Sequence, residues 1–239
     1  MRIDLRGRTA LVTGASRGIG KEIARSLVEA GVFVCGSGTN QASLGRTALE
    51  LGSGGGTFVP LAARLENADE VARLAERANE ALGGVDILVN NAGILHLGPL
   101  AATNDRILEN SFAVNVLAPI RLSRALVPDM IERGWGRVIN ICSSSAYFGG
   151  GTPGHCVYSA TKHALLGFSR ALDEELRSDG IRVGTVSPAG VSTDMVADRT
   201  DIPAASLMSP QDVAEAVVFL ASSDGPGIVY ELRMWRMNR

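Results

Sequence analysis

Apolar positions along this chain follow two rhythms that alternate from the first residues to the last. Short runs rich in β-branched residues recur between longer segments whose apolar residues are spaced three and four apart. A period near two marks strands and a period near 3.6 marks helices, so the alternation predicts βαβ units feeding a parallel sheet. The predicted strands are 9–12, 32–36, 57–61, 87–90, 137–142, 181–187 and 228–232. The predicted helices are 18–29, 41–51, 68–82, 103–133, 157–178 and 210–222. The expected fold class is therefore α/β, a doubly wound parallel sheet of about seven strands with helices on both faces. Right-handed crossovers would put the ligand crevice at the carboxyl ends of the strands.

Two stretches break the rhythm. The glycine-rich run 52–56 is too short to separate domains and reads as a turn, leaving 1–239 as a single domain. The segment 191–209, with Pro203 and several small residues, lies between a strand end and the last long helix, where a substrate lid is expected.

The 239 residues, 46% hydrophobic and 20% charged, suffice for one compact core. A net charge of −2 gives no basic footprint for nucleic acid or an anionic membrane, which leaves a small molecule as the expected partner. No apolar run reaches membrane-spanning length and the N-terminus does not read as a secretion signal, so a cytoplasmic location is expected. Cys35, Cys142 and Cys156 have neither disulfide nor zinc spacing and are expected as buried free thiols. His96, His155 and His163 likewise lack metal-ligand spacing; His163 is expected at the surface, and the other two are candidates for the substrate mouth.

Chemistry enters at Tyr158-Ser-Ala-Thr-Lys162. Residues i and i+4 share a helix face, so the Lys162 ammonium can sit under the Tyr158 ring and favour the phenolate, an acid/base pair suited to hydride-transfer chemistry. Near the N-terminus, Thr13-Gly-Ala-Ser-Arg-Gly-Ile-Gly20 follows a strand and opens a helix. There Gly14 would make the tight turn, Gly18 would admit close backbone approach and Gly20 would let helix pack on strand, as a pyrophosphate site requires. The spacing is G-x-x-x-G-x-G, which differs from the G-x-G-x-x-G dinucleotide fingerprint.

The glycine turn, Asn90-Asn-Ala-Gly93, Asn115, the serines after Asn140, and Tyr158-x-x-x-Lys162 together resemble the short-chain dehydrogenase/reductase family in order and spacing, over nearly the whole chain. The resemblance implies a Rossmann-type fold, a nicotinamide-dependent oxidoreductase and a homodimer or homotetramer. By it, Tyr158 is the general acid/base, and Lys162 supports it and holds the nicotinamide ribose. Asn115 would sit at a helix distortion and hold a water that links Lys162 to solvent. A serine would orient the substrate oxygen: the strand-end pattern selects Ser143, the distance back from Tyr158 favours Ser145, and Ser143 is preferred because strand register fixes side-chain direction. Ser144 and Ser145 are then expected to cap the loop.

The cofactor residues implied are Gly14, Ser16, Arg17, Gly18, Ile19 and Gly20 in the turn, and Asn91, Ala92 and Gly93 beside the adenosine ribose. Pro188, Val191 and Thr193 would lie by the nicotinamide, with Ala189 standing where glycine is usual. The second strand ends in Cys35-Gly-Ser-Gly-Thr-Asn40 with no acid to hold a ribose 2′-hydroxyl. Ser37, Thr39 and Arg17 would instead suit a 2′-phosphate, so NADP is expected over NAD. Arg64 occupies the place of the family's adenine-binding Asp and has no acceptor to offer, leaving stacking by Arg64 or backbone contacts from Leu65. The ending Tyr230-Glu-Leu-Arg-Met-Trp-Arg-Met-Asn-Arg239 departs from the family's glycine-containing one and is expected to lead to an oligomer interface.

The leading expectation is a carbonyl reductase or alcohol dehydrogenase. Reduction of 3-oxoacyl thioesters on an acyl-carrier protein is a narrower version, less supported because Gly134 and Glu174 stand where basic docking residues would be, although Arg133 or Arg177 lie close enough to compensate. A non-catalytic nicotinamide-binding sensor or scaffold is the alternative of a different class.

Overall fold

The computed structural model describes residues 2–52, 55–147, 153–196 and 207–236. Seven parallel strands form one sheet in the order β3-β2-β1-β4-β5-β6-β7. They are β1 Thr9–Thr13, β2 Phe33–Gly38, β3 Thr57–Ala62, β4 Ile87–Asn90, β5 Gly136–Ile141, β6 Ile181–Pro188 and β7 Glu231–Met234. The intervening helices are α1 Gly18–Glu29, α2 Gln41–Leu51, α3 Ala68–Leu82, α4 Asp105–Phe112, α5 Ala118–Glu132, α6 Cys156–Leu176 and α7 Pro210–Ser222. The strand order reverses between β1 and β4, the place where a doubly wound sheet opens its crevice.

Alternation along each strand builds the two cores. Ala10, Val12, Ile87, Val89, Ile139 and Ile141 face a layer that contains α1 and α7. Their neighbours Leu11, Leu88 and Val138 face the opposite layer of α3 and α5. Period-two side-chain direction thus lets nearly continuous apolar strands serve both faces at once. Helix starts are set by side chains that accept from first-turn amides: Asn40 from Ser43, Asn67 from Asp69 and Glu70, and Ser209 in a reciprocal capping box with Asp212.

Three expectations are corrected by this structure. The long helix foreseen over 103–133 starts at Asp105 and is split by a π-helical turn, Ala113–Leu117. Asn115 lies in that turn and bonds across to Ile94 and Thr161, so tertiary hydrogen bonds hold the extra residue. The last strand begins three residues later than 228, because Glu231 is anchored by the Tyr147 hydroxyl at 2.9 Å and by Arg170 at 2.5 Å, which fixes its register against β6. Cys35 and Cys142 are buried, and burial pushes their thiols up to about 11 and about 12. Cys156 is exposed, since it opens α6 on the side away from the sheet core.

A buried polar chain locks α6 to the sheet. Asn90 Nδ2 donates to Asn140 Oδ1 at 2.8 Å, Asn140 Nδ2 donates to Ser169 Oγ at 2.8 Å, and Ser169 Oγ donates to the Leu165 carbonyl at 2.7 Å. Within the foreseen lid, residues 197–206 lie outside the described residues, but its two ends are laced together. Ser192 donates to the Met208 carbonyl at 2.8 Å, and Met208 donates to that of Gly190 at 3.0 Å. Of the foreseen 149–154 loop, residues 149–152 also lie outside the described residues.

Replacing Asn140 by Ala should leave the Asn90 amide without its buried acceptor and should lower stability by about 3 kcal/mol. Urea unfolding would read this as a lower midpoint with an unchanged slope. Gly20→Ala should be destabilising too, by about 1–3 kcal/mol, because a Cβ there would overlap the Gly14 carbonyl and the Asn91 side chain. A wild-type unfolding midpoint in either variant would contradict these packing arguments.

Candidate active site

The crevice at the β1–β4 junction is built first by backbone. Thr13 Oγ1 accepts from the amides of Asn91 and Ala92, both at 3.0 Å, while Asn91 Nδ2 donates to the Thr13 carbonyl at 2.8 Å. This clamp holds the two strand ends together. Gly14 and Gly18 take φ of 69° and 54°, values that side chains disfavour. Arg17 opens α1 without a side-chain cap, so the first-turn amides of α1 keep their donors for an anion in the cleft.

From that turn a cleft of about 660 Å³ runs along the carboxyl edge of the sheet. It is lined by Gly14, Ser16, Arg17, Gly18, Ile19 and Gly20, by Ser37 near the end of β2 and Thr39 after it, and by Leu65 after β3. Asn91, Ala92 and Gly93 line it after β4, and Pro188, Val191 and Thr193 after β6. Ser143, Tyr158 and Lys162 line the same cavity.

Tyr158 and Lys162 lie one turn apart on α6, with Lys162 Nζ 5.7 Å from the Tyr158 ring centroid. Lys162 is only 4% exposed, and its ammonium donates to the Ile141 carbonyl at 2.9 Å. A buried cation needs such an acceptor, and this one ties it to the end of β5. Asn115 stands behind the cleft wall. Its Oδ1 accepts from the Ile94 amide at 2.8 Å, and its Nδ2 donates to the Ile94 carbonyl at 2.9 Å and to Thr161 Oγ1 at 3.1 Å. It thereby fixes the loop after β4 to α6. The glycine at 93 leaves room beside the Asn115 oxygen and the Lys162 ammonium.

The serine cluster has an arrangement the motifs did not foresee. All three serines line the cleft, yet the capping oxygen is that of Ser143, which accepts from the Ser145 amide at 3.1 Å. Its hydroxyl proton remains available for donation. His155 lines the cleft and meets the Tyr158 ring edge-on at 6.2 Å, whereas His96 is not among the lining residues and His163 turns outward to the Ser159 carbonyl.

Arg64 stands apart from the cleft. Its guanidinium donates twice to Glu70 Oε1, at 2.9 and 2.6 Å, and its amide donates to Glu70 Oε2 at 2.8 Å. Glu66, two residues on, is the acid that lines the cleft there, and a carboxylate has the acceptor oxygens that a guanidinium lacks. Glu66, Asp194, Met195, Trp235 and Arg236 are lining residues that sequence reasoning missed. The acid at 66 had a signal in its nearness to the family's adenine position. Trp235 and Arg236 had none, because nothing local shows which way a chain turns after its last strand.

The Ser37 hydroxyl is buried in the cleft wall with no hydrogen-bond partner. Arg17 reaches across the cleft mouth to Asp194 at 2.7 Å, an exposed pair of little energetic weight. Among the described residues there is no cluster of metal-binding side chains, and no helix is long and apolar enough to cross a membrane.

Comparison with known proteins agrees with this arrangement. A family description, short chain dehydrogenase, matches residues 8–203. The 3-oxoacyl-(acyl-carrier-protein) reductase of Vibrio cholerae is 34% identical over 238 residues, with 96% of each chain covered. The crystal structure of the 3-oxoacyl (acyl-carrier-protein) reductase from Agrobacterium tumefaciens C58 with NADP bound superposes with a TM-score of 0.89 at 32% identity, covering 98% of this chain and 96% of that one. A blue fluorescent protein from a metagenomic library, solved in complex with NADPH, gives 0.88 at 34% identity with 97% of each chain covered. With the family match spanning most of its length, this chain belongs to the short-chain dehydrogenase family.

Proposed function

We propose that this protein is an NADP-dependent oxidoreductase that interconverts a carbonyl and a secondary alcohol, with Tyr158 as general acid/base. The observation that carries the reading is one cleft shared by the glycine turn and by the Tyr158–Lys162 pair on α6. The residues fit a nicotinamide dinucleotide: positive-φ glycines and uncapped α1 amides at the turn suit a pyrophosphate, and a Cβ at Gly20 has no space. The buried Ser37 hydroxyl, Thr39, Ser16 and Arg17 suit a 2′-phosphate, with no acid at the end of β2 to repel it. Leu65 and Glu66 would meet the adenine, Asn91, Ala92 and Gly93 the ribose, and Pro188, Val191 and Thr193 the nicotinamide side. Arg64, committed to Glu70, has no part in this assignment. When bound, the nicotinamide supplies or accepts the hydride.

In the reductive direction the Tyr158 hydroxyl passes its proton to the carbonyl oxygen as that oxygen becomes an alkoxide. The Lys162 ammonium, held by Ile141, stabilises the phenolate left behind. A hydroxyl from Ser143 or Ser145 holds the substrate oxygen in line with Tyr158. Asn115 acts through position, keeping the loop after β4 and the catalytic helix in one register.

Reduction of carrier-bound 3-oxoacyl thioesters is the second reading, favoured by the relatives named above. The surface argues against carrier docking near α6, because Arg177 is already shared between Asp173 at 2.5 Å and Glu174 at 2.8 Å. Arg133 is likewise turned inward, to the Val85 carbonyl at 2.8 Å. A small or medium soluble carbonyl fits better.

Fluorescence titration should show NADPH binding at least about tenfold tighter than NADH. Consumption of NADPH with ketones, aldehydes, diketones and an acetoacetyl thioester then ranks the substrates. Binding without any turnover would turn the assignment toward a sensor. Tyr158→Phe should lower kcat by about 10²–10⁴-fold while NADPH binding persists, and retained activity would exclude Tyr158 as the acid.

A further inference from the structure

The carboxyl end of β7 delivers a charge that the reaction above does not use. Met234 pairs with Pro188, and the Ala189 amide donates to the Met234 carbonyl at 3.0 Å, so the next residues leave the sheet at its crevice edge. Trp235 and Arg236 are those residues, and both line the cleft that holds Tyr158. The Nε of Arg236 is sealed from solvent and has no hydrogen-bond partner. A buried guanidinium N–H without an acceptor is costly, and an anion arriving in the cleft that Arg236 lines would draw the guanidinium round to meet it.

Among the described residues, the nearby acids are engaged or distant. Asp194 is paired with Arg17, and Glu231 is held by Arg170 and Tyr147. The Arg170 guanidinium keeps the Glu231 carboxyl below the usual range. Glu66 follows β3, six strand positions away at the opposite edge, roughly 29 Å across the sheet. The cofactor's phosphates are accounted for on that same side, at the glycine turn after β1 and at the end of β2. The reacting groups stand after β5 and β6, with β7 one strand further out. An anion that meets Arg236 therefore belongs to the substrate.

Resting on the oxidoreductase reading, we infer that Arg236 selects a substrate carrying a carboxylate, so that this cleft reduces an oxo acid or oxidises the matching hydroxy acid. A planar guanidinium matches a carboxylate with two parallel hydrogen bonds and one balancing charge. A phosphate dianion would be left half neutralised against the apolar wall of Met195 and Trp235.

The experiment compares matched pairs, an oxo acid and its methyl ester, with NADPH as reductant. Wild type should prefer the acid by about 10–100-fold in kcat/KM, the worth of one charge-assisted pair. Arg236→Leu should bring that ratio to about one, and Arg236→Lys, which keeps the charge without the fork, should restore part of it. Calorimetric binding of a saturated, non-reducible carboxylate to the NADP⁺-loaded protein should weaken in the same order. Equal turnover of acid and ester by wild type, or an acid-to-ester ratio unchanged in Arg236→Leu, would overturn the inference while leaving the oxidoreductase intact. A preference for the acetoacetyl thioester over every free acid would also overturn it, in favour of a carrier-borne substrate. Should no carbonyl be reduced at all, the oxidoreductase reading fails. The carboxylate titration then decides the role of Arg236 alone: tighter binding by wild type than by Arg236→Leu upholds it, and equal binding refutes it.

Discussion

Strands that all run the same way bring all their carboxyl ends to one edge of the sheet, and backbone groups there have no ladder to enter. Most of what matters in this protein is an answer to that constraint. At β1 and β4 the Thr13 and Asn91 side chains absorb the loose amides and carbonyls and so clamp the crevice. At β5 the Ile141 carbonyl is capped by the Lys162 ammonium, which makes the charge proposed for catalysis a structural hydrogen-bond donor as well. At β6 the chain ties Gly190 and Ser192 to Met208 before it turns away. The functional groups gather where the fold leaves polar atoms to be satisfied.

A side-chain pair on a helix, such as Tyr158 and Lys162, must also be held at a set height and rotation, which apolar packing alone does poorly because it has little direction. The Asn90–Asn140–Ser169 chain supplies direction between sheet and α6, and Asn115 supplies it between the loop after β4 and the same helix. Asn115 reaches its partners through a π turn, a local departure from regular helix that the cross-links at Ile94 and Thr161 maintain. The two devices act on α6 about two turns apart, at Thr161 and at Ser169.

The sequence was most legible where the determinants are local. The starts of α2, α3 and α7 are written in Asn40, Asn67 and Ser209, residues whose side chains bond within the next turn. The glycine turn, Asn91 to Gly93, Ser143, Tyr158 and Lys162 converge on one cleft because strand ends and helix starts on a parallel sheet must meet there. Legibility stopped where long-range partners decide. The register of β7 depends on Tyr147 and Arg170, which are far from Glu231 in sequence. Arg64 reads as an adenine contact until Glu70 is seen to claim it, and Ser143 reads as a free hydroxyl until the Ser145 amide is seen beneath it. Cys156 reads as one more buried thiol until its position at the head of α6 is known.

The cleft divides its work by strand position. The segments after β1, β2 and β3 bring hydroxyls, Arg17 and Glu66 to the cleft. The chain after β5 brings Ser143, Tyr158 and Lys162 to it, groups whose proposed proton transfer would be the same for any carbonyl. The end of β7 brings Trp235 and Arg236 to the cleft, which Met195 also lines. A strand at the sheet's edge has one neighbour to satisfy instead of two, so the residues that follow it can change at small structural cost. The edge strand thus delivers Trp235 and Arg236 to the same cleft that Tyr158 and Lys162 line.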